Sequence, residues 1–291
     1  NSGIRKPPAA KKISSVGIYW PDFNEINAET LQTKWRIKKR PVIAITFYSA
    51  LLQSGQTEVI DALITALEKD YNCIPIHSKS FKDKKNRDVT RFLLKKYNPI
   101  SVINLTGFSL SGISSSKTIF DDARRPVFQV ILSSMSEHEW QHSSKGLNNR
   151  DIIMSISLPE IDGRIITKTI AFKEEMSFDK ITQTKLLEYI PHDFGINYIC
   201  NLVKNWSKLS VTSNEKKNIF ITLANYPNKD SRIANGVGLD TPSSIVHLIK
   251  KLKKLNYKIH NFPSNSDELM KKLISGQTNS HEKIKLKTNK Y

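Results

Sequence analysis

The chain has 291 residues, 38% hydrophobic and 25% charged, with no run near eighteen apolar residues, which predicts a buried core and excludes a disordered protein and a transmembrane helix. Lys and Arg number 45 against 27 Asp and Glu, a formal net charge of +18, but lysines outnumber arginines 35 to 10. Because nucleic-acid sites favour arginine, we expect no nucleic acid, and the charge instead favours anionic small ligands or acidic partner surfaces.

Strand and helix patterns alternate through the first part of the chain. Runs of β-branched and aromatic residues predict strands, and apolar residues spaced by three and four predict helices. This alternation is typical of a parallel sheet with right-handed crossovers, so we expect a Rossmann-like α/β domain over residues 41–210 after an N-terminal segment, residues 1–40. The predicted elements are, in chain order, strand 16–19, strand 42–48, helix 58–69, strand 73–76, helix 88–97, strand 100–105 and strand 127–132.

A β elaboration is predicted next in the same domain. Two strand-like runs flank a turn at Asp162 and Gly163, and a helical pattern follows that Pro191 and Gly195 divide into one or two helices. These elements are predicted at 152–158 and 165–172 for the strands and at 184–209 for the helical segment.

The alternation restarts after a polar segment, residues 211–216, which predicts a linker. We therefore expect the start of a second α/β domain over residues 215–291. Its two strands and two helices are too few to close a sheet, so this domain is expected to be cut off at Tyr291. The predicted elements are strand 218–223, helix 242–255, strand 257–262 and helix 266–274.

Two features bear on the location of the protein. Residues 1–12 are basic and contain prolines but lack the apolar stretch of a secretory signal. Cys73 and Cys200 are far apart in sequence, which indicates neither a disulfide framework nor a cysteine metal cluster. Both features fit a reducing compartment, so we expect a cytoplasmic protein.

Polar loops follow three predicted strands of the first domain, at residues 49–57, 106–112 and 133–136. In open parallel sheets ligands bind beyond the carboxyl ends of the strands, and the Ser, Thr and Gly residues of these loops could hydrogen-bond a polar ligand. Loops of this kind are also polar for structural reasons, so composition leaves both interpretations open. Thr106 and Ser109 are the candidate binding residues.

A long loop in the second domain, residues 224–241, gives a stronger indication of function. Loops of more than about 12–15 residues without secondary structure are uncommon unless they are functional or disordered. Thr241 is predicted to cap the following helix, with Pro242 at its first position. The spacing of Gly236 and Gly238 does not fit a dinucleotide fingerprint. The side chains suited to a ligand with amides and carboxylates are Asn225, Asn228, Arg232, Asn235 and Asp240.

The segment His138–His142 matches the H-E-x-x-H pattern, in which two histidines bind zinc and the glutamate acts as a base. Ser136 and Glu139 form a capping-box pattern, which gives Glu139 a structural role instead. Because no obvious third ligand follows, a zinc hydrolase is disfavoured and we expect no metal bound here. The weaker candidates for a third ligand are Glu160 and His192.

Several phrases of the sequence resemble the large subunit of cobaltochelatase, the CobN branch of the CobN/magnesium-chelatase family. They occur in the family's order and cover nearly the whole chain, and the last has the form of the cobalt branch. The phrases are GIYWPD (17–22), RPVIAITFYSALLQSGQTEVIDALITALE (40–68), NLTGFSL (104–110), PVFQVILSS (126–134), LPEIDGRI (158–165) and TLANYPNKDSRIANGVGLDTPSS (222–244).

The resemblance implies an N-terminal portion of an enzyme that inserts Co²⁺ into a tetrapyrrole, hydrogenobyrinic acid a,c-diamide, in cobalamin biosynthesis. It also implies that ATP is hydrolysed by AAA-type partner subunits, which agrees with the lack of a G-x-x-x-x-G-K-[ST] motif in this sequence. The substrate metal is then Co²⁺, and the isolated fragment is expected to be inactive. His138 and His142 stand where the family pattern has no histidine.

No catalytic residue is carried over from the family, because its metal-insertion residues are expected partly beyond Tyr291. Within this chain we expect only contacts to the ring or its side arms, first from the long loop and then from Thr106 and Ser109. The alternatives are a magnesium-chelatase large subunit, which acts on protoporphyrin, a non-catalytic module for tetrapyrrole binding or partner docking, and the zinc hydrolase.

Overall fold

The computed structural model describes residues 12–111, 117–121, 125–225 and 232–276. The chain divides into two compact units, which we call unit 1 (residues 1–207) and unit 2 (residues 208–291). The α/β class predicted from the sequence is confirmed by the sheet and helices of unit 1. The predicted domain limits, 41–210 and 215–291, stay a prediction.

Unit 1 is built on a seven-stranded sheet in the order β1-β3-β2-β4-β5-β6-β7. The five inner strands from β3 to β6 are parallel to one another, while β1 and β7 are antiparallel to their neighbours. The order reverses between β2 and β4, as in doubly wound folds. The strands are β1 (Val16–Ile18), β2 (Val42–Tyr48), β3 (Asn72–Ser78), β4 (Ser101–Asn104), β5 (Val127–Leu132), β6 (Ile165–Asp179) and β7 (Thr184–Pro191).

Side-chain caps determine where several helices begin. The Asp83 carboxylate accepts a hydrogen bond from Asn86 N, so α4 begins four residues before the predicted start. Asp240, rather than the predicted Thr241, caps α9 by accepting from Ser243 N. The helices are α1 (Ala28–Lys34), α2 (Ser49–Gln53), α3 (Glu58–Leu67), α4 (Lys84–Tyr97), α5 (Glu137–His142), α6 (Asn149–Ile152), α7 (Leu158–Ile161), α8 (Asp193–Val211), α9 (Thr241–Lys254) and α10 (Ser266–Ser275).

The hydrophobic core lies on both faces of the inner strands. Every residue of β3 and β4 is buried, because helices cover these parallel strands on both sides. Helix α3 contributes an apolar face at helical spacing, and Phe47 of β2 is fully buried and meets the Tyr19 ring edge-on at 5.8 Å. The core therefore fixes the inner strands, and with them the loops at their carboxyl ends.

The prediction of a strand at residues 152–158 is wrong. Asn148 caps a helix there by accepting from Asp151 N, and the chain continues as α6, a π-helical turn (Ile153–Ser157) and α7. Short apolar runs do not distinguish a strand from a half-buried helix by periodicity. The segment forms a helical connection between β5 and β6.

The prediction of helix at residues 184–191 is also wrong, because this segment forms strand β7 and pairs with β6 from Asp179 to Ala171. Pro191 ends the strand, where a missing N–H costs little. Gly195 does not interrupt α8. It lets the helix approach β6 so closely that a Cβ atom at Gly195 would lie 2.0 Å from Thr169 O.

The strands predicted at residues 218–223 and 257–262 in unit 2 are not formed; both segments are described and neither has regular structure. A strand requires a hydrogen-bonding neighbour, and Phe220 is 93% exposed. Apolar side chains of the two segments, including Ile219 and Ile259, instead line a cavity of about 380 Å³ with Ile249 and Leu252 of α9.

Candidate functional site

A cavity of about 290 Å³ lies at the carboxyl ends of the inner strands, where the strand order reverses. Reversals of this kind are the usual ligand sites of open α/β sheets. We call it the carboxyl-edge cavity. Its apolar lining consists of Ala50, Leu51, Leu105, Gly107, Phe108, Leu132 and Met154, and its polar lining consists of Tyr48, Ser134, Arg150, Asp151, Ser155, Lys173 and Tyr189.

Hydrogen-bond donors predominate among the polar groups of this cavity. Arg150 and Lys173 are cationic, and Lys173 Nζ lies 5.4 Å from the centre of the Tyr189 ring. Burial raises the pKa of Tyr48 and Tyr189, so both phenols remain protonated at neutral pH. The Tyr48 hydroxyl donates to Gly107 O at 3.1 Å. The arrangement suits a ligand group that accepts hydrogen bonds or carries negative charge.

The single carboxylate of the lining, Asp151, is already occupied. Its side chain is buried at the start of α6, and Oδ2 accepts from Ser133 Oγ at 3.0 Å, Ser134 N at 2.8 Å and Asn148 Nδ2 at 3.4 Å. These bonds tie the loop after β5 to the helical connection. Asp151 therefore holds the wall of the cavity.

A buried ion pair lies beside the cavity. Arg164 Nη2 donates to Asp162 Oδ2 at 2.7 Å, and both side chains are 1% exposed. Arg164 also donates to the carbonyl oxygens of Thr106 and Phe108. Asp162 accepts from Ser109 Oγ and from two backbone N–H groups of the same loop, and the hydrogen bonds of this loop favour the ionised form, lowering the carboxyl pKa despite burial, which opposes the shift most strongly. The pair thus fixes the loop after β4.

Thr106 and Ser109 both belong to this buried network. Thr106 Oγ1 donates to Asn104 Oδ1 at 2.9 Å, and Asn104 also accepts from Thr46. Ser109 Oγ bonds to Asp162 Oδ1 at 2.7 Å. The two hydroxyls shape the loop that borders the cavity, while Gly107 and Phe108 between them reach its lining.

The π-helical turn forms the opposite side of the cavity. Phe108 N donates to Met154 O at 2.8 Å, and a Cβ atom at Gly107 would lie 2.9 Å from the same oxygen. Glycine at position 107 therefore allows the β4 loop and the π-helical turn to touch. Such turns are rare and are often found at functional sites.

The predicted binding residues of the long loop lie in unit 2. Asn225 Oδ1 is buried and has no hydrogen-bond partner among the described residues. Arg232 is exposed, and its carbonyl accepts from Asn235 N at 3.0 Å. Hydrogen bonds from Ser243 lower the pKa of the Asp240 carboxyl, as its capping role requires. Asn228 lies outside the described residues.

The H-E-x-x-H segment forms the short exposed helix α5. Glu139 accepts from Ser136 N at 2.9 Å, so the predicted capping box is confirmed. The rings of His138 and His142 stack at 4.1 Å, and His142 Nδ1 lies 2.9 Å from His138 O. Within the described ranges, no group of three His, Cys, Asp or Glu side chains is arranged to hold a metal ion.

Sequence reasoning missed two polar arrangements. The first is the Arg164–Asp162 pair, whose signal is an arginine beside a predicted strand with an aspartate two residues before it. The second is a buried chain in which His77 Nδ1 lies 2.9 Å from Ser49 Oγ and His77 Nε2 lies 3.0 Å from Glu25 Oε1. Ser49 is 1% exposed, which closes it to a substrate. No local spacing links these three residues, so the sequence carries no signal for them.

Among the helices that the structure describes, none is both long and apolar enough to cross a membrane.

Comparisons with known proteins agree on one family. The model of the CobN/Magnesium Chelatase family matches residues 2–291. The aerobic cobaltochelatase subunit CobN of Sinorhizobium sp is 33% identical, and the alignment covers 97% of this chain and 23% of that protein. A more distant relative, a magnesium-chelatase subunit of Chlorobaculum parvum, is 22% identical over 100% of this chain and 23% of its own length.

A solved structure has the same fold. The catalytic subunit of cobaltochelatase from Mycobacterium tuberculosis matches with a TM-score of 0.71 and 22% identity, covering 93% of this chain and 22% of that one. The chain thus spans less than a quarter of the length of the relatives it matches.

Proposed function

The chain belongs to the CobN/magnesium chelatase family, and we propose that it is part of the large subunit of an ATP-dependent cobaltochelatase. In this proposal the whole enzyme inserts Co²⁺, its substrate metal, into hydrogenobyrinic acid a,c-diamide during cobalamin biosynthesis. The observation that carries it is the family match over residues 2–291, together with 33% identity to a subunit named as a cobaltochelatase.

Cobalt is favoured over magnesium because identity to the cobalt-named relative is higher, 33% against 22% for the magnesium-chelatase relative. The phrase at residues 222–244, which has the form of the cobalt branch, supports the same choice. Insertion of Mg²⁺ into protoporphyrin is the second candidate, because the family includes both activities by name.

We assign the ring contacts to the long loop of unit 2. Asn225 has a buried oxygen without a partner in the described part of the chain, which suits the N–H of a ring amide. The exposed Arg232 suits a carboxylate or an amide oxygen, and Asn228 and Asn235 extend this set. Asp240 holds the end of the loop as the α9 cap. Thr106 and Ser109 are proposed to act through the shape of the β4 loop.

ATP hydrolysis is assigned to AAA-type partner subunits, which bind the large subunit in the cytoplasm. No catalytic base is assigned within this chain. A module that only binds the tetrapyrrole or docks the partners would keep the ring contacts but lack insertion.

The first experiment measures metal insertion by absorbance, using the full-length protein with its partner ATPase subunits. We expect Co²⁺ to enter the diamide only when ATP and both partners are present. Insertion of Mg²⁺ into protoporphyrin without cobalt insertion would replace the proposal by the second candidate. Binding of the diamide without insertion of either metal would indicate the non-catalytic module.

The second experiment tests the loop. Arg232→Ala in the full-length protein should weaken binding of the diamide, followed by fluorescence quenching, by about one to two decades, because a charge-assisted hydrogen bond is lost. Lys250→Ala, which removes an exposed cation from α9 of the same unit, is the matched control and should bind normally. Normal affinity in Arg232→Ala, Asn225→Ala and Asn228→Ala alike would contradict the assignment of the loop.

A further inference from the structure

We propose that the carboxyl-edge cavity binds a carboxylate carried on a short hydrocarbon chain. The cavity lies entirely within unit 1, beside the β2 and β4 strand ends, and shares no residue with the loop assigned above. It is a second binding site, and the chemistry of its lining indicates the class of ligand.

The cations of the cavity lack a protein counter-charge. Neither Arg150 nor Lys173 is in an ion pair within the described part of the chain, and the lining carboxylate Asp151 is occupied by Ser133, Ser134 and Asn148. The neighbouring Arg164 shows the contrast, since this structural cation is held by Asp162 at 2.7 Å. Two cations facing one cavity without a carboxylate partner favour an anionic ligand.

The rest of the lining indicates which anion. Leu51, Leu105, Leu132 and Met154 give the cavity an apolar wall, against which a fully hydrated ion such as phosphate would lose hydration without compensation. A hydrocarbon chain buries its surface there, while its terminal carboxylate reaches the cations and the Tyr189 hydroxyl. Each part of the lining then meets a matching part of one ligand.

The size of the cavity limits the ligand. Its volume of about 290 Å³ lies at the lower end of ligand pockets, which hold about 300–1,000 Å³. A side arm fits this volume and a complete macrocycle does not. The inference deepens the proposed function and rests on it in one respect, namely that the arm belongs to the tetrapyrrole. Binding of an alkyl carboxylate as such does not depend on it.

The test uses the full-length protein and pentanoate as the probe, with binding followed by ligand-observed NMR. We expect Lys173→Gln and Arg150→Gln each to weaken pentanoate binding about 10- to 100-fold, because each removes a charge-assisted contact. Lys173→Arg keeps the charge and should retain most of the affinity. The matched control is Lys168→Gln on the same strand, whose ammonium lies over the Phe194 and Tyr198 rings, and it should bind normally.

Two further probes examine the ligand class. Pentanamide, which has the same shape without the charge, should bind at least about 10-fold more weakly than pentanoate, and so should inorganic phosphate. Equal binding of pentanamide would overturn the role of the cations, and equal binding of phosphate would overturn the role of the hydrocarbon wall. Circular dichroism checks that each variant is folded, and full affinity in folded Lys173→Gln and Arg150→Gln would overturn the site.

The outcomes separate this inference from the proposed function. Cobalt insertion by an enzyme that does not bind pentanoate would overturn the cavity and leave the function standing. Pentanoate binding with the expected variant pattern, in an enzyme that inserts no cobalt, would support the carboxylate site and remove its assignment to the tetrapyrrole arm.

Discussion

The two units contain similar apolar runs but treat them differently. In unit 1 the run VIAITFY becomes the central strand β2, paired on both sides and buried, whereas in unit 2 the run at residues 218–223 has no strand partner. The buried hydrophobic residues of unit 2 in its described part are Ala234, Val246 and Leu269. An apolar run therefore becomes a strand only where neighbouring strands complete its hydrogen bonds, which residue pattern does not reveal.

The largest expected effect compares one aromatic residue from each run. Phe47→Ala in unit 1 should lower the free energy of unfolding by about 3–5 kcal/mol, because it leaves a cavity in a fully packed core. Phe220→Ala in unit 2 removes a ring that is 93% exposed and should change it by less than about 0.5 kcal/mol. Urea unfolding followed by circular dichroism measures both. Similar losses in the two variants would show that the units are packed alike.

Two glycines sharpen the same comparison. Gly195→Ala should destabilise unit 1 by about 1–3 kcal/mol or more, because the new methyl group meets the Thr169 carbonyl of β6. Gly276→Ala in unit 2 meets no atom closer than 3.6 Å and has no left-handed backbone, so it should be nearly neutral. Thermal unfolding distinguishes the two, and an undisturbed melting temperature in Gly195→Ala would contradict the close contact of α8 with β6.

Much of unit 1 could be predicted from the sequence. The strands β2 and β5 begin and end where predicted, since central parallel strands are continuous runs of β-branched and aromatic residues. The segment that became β7 was misread because its pattern, TKLLEYIP, fits a helix about as well, and only its pairing with β6 decides the outcome. Local pattern thus predicts elements buried on both faces better than elements at an edge.

The sites were harder to predict than the fold. Loops at the strand ends could be expected, because strand order and chain direction place them at one edge. Which side chains face the cavity could not, since Lys173 and Tyr189 come from a hairpin whose second strand was predicted as helix. The structure assigns the hydroxyls of Thr106 and Ser109 to a network with Asn104 and Asp162, contacts that span up to 53 residues of sequence.

Helix capping should act alike in both units and so limits the contrast between them. Asn27 accepts from Thr30 N at 2.8 Å at the start of α1, and Asn265 accepts from Glu268 N at 2.9 Å at the start of α10. Each Asn→Ala variant should cost about 1 kcal/mol, because one backbone donor loses its partner in each helix. Urea unfolding of both variants is the measurement. A loss confined to Asn27→Ala would mean that α10 adds nothing to the stability of its unit.

The finest difference between the units is in pH dependence. Burial lowers the pKa of His77 below its ordinary value of 6.5, against the opposing effect of Glu25. The unfolded chain therefore binds the His77 proton more readily than the native protein. The resulting stability is fully present above about pH 6.5 and decreases as the pH falls below it.

Urea midpoints measured between about pH 8 and about pH 5.5 should show this slope. His77→Gln should flatten it, whereas His247→Gln, which changes an exposed histidine of unit 2, should leave it unchanged. A slope that survives His77→Gln would have to arise from other groups.

The π-helical turn at residues 153–157 makes chain length matter more than residue identity in this segment. Such a turn contains one residue more than the α-helical turn it replaces. Deleting one residue would allow an uninterrupted α-helix and rotate everything after it by about 100° around the helix axis. Asp162 would then turn away from the β4 loop and from Arg164. Evolution can therefore exchange side chains along this connection, but an insertion or deletion of a single residue would disconnect the buried ion pair from the loop it holds.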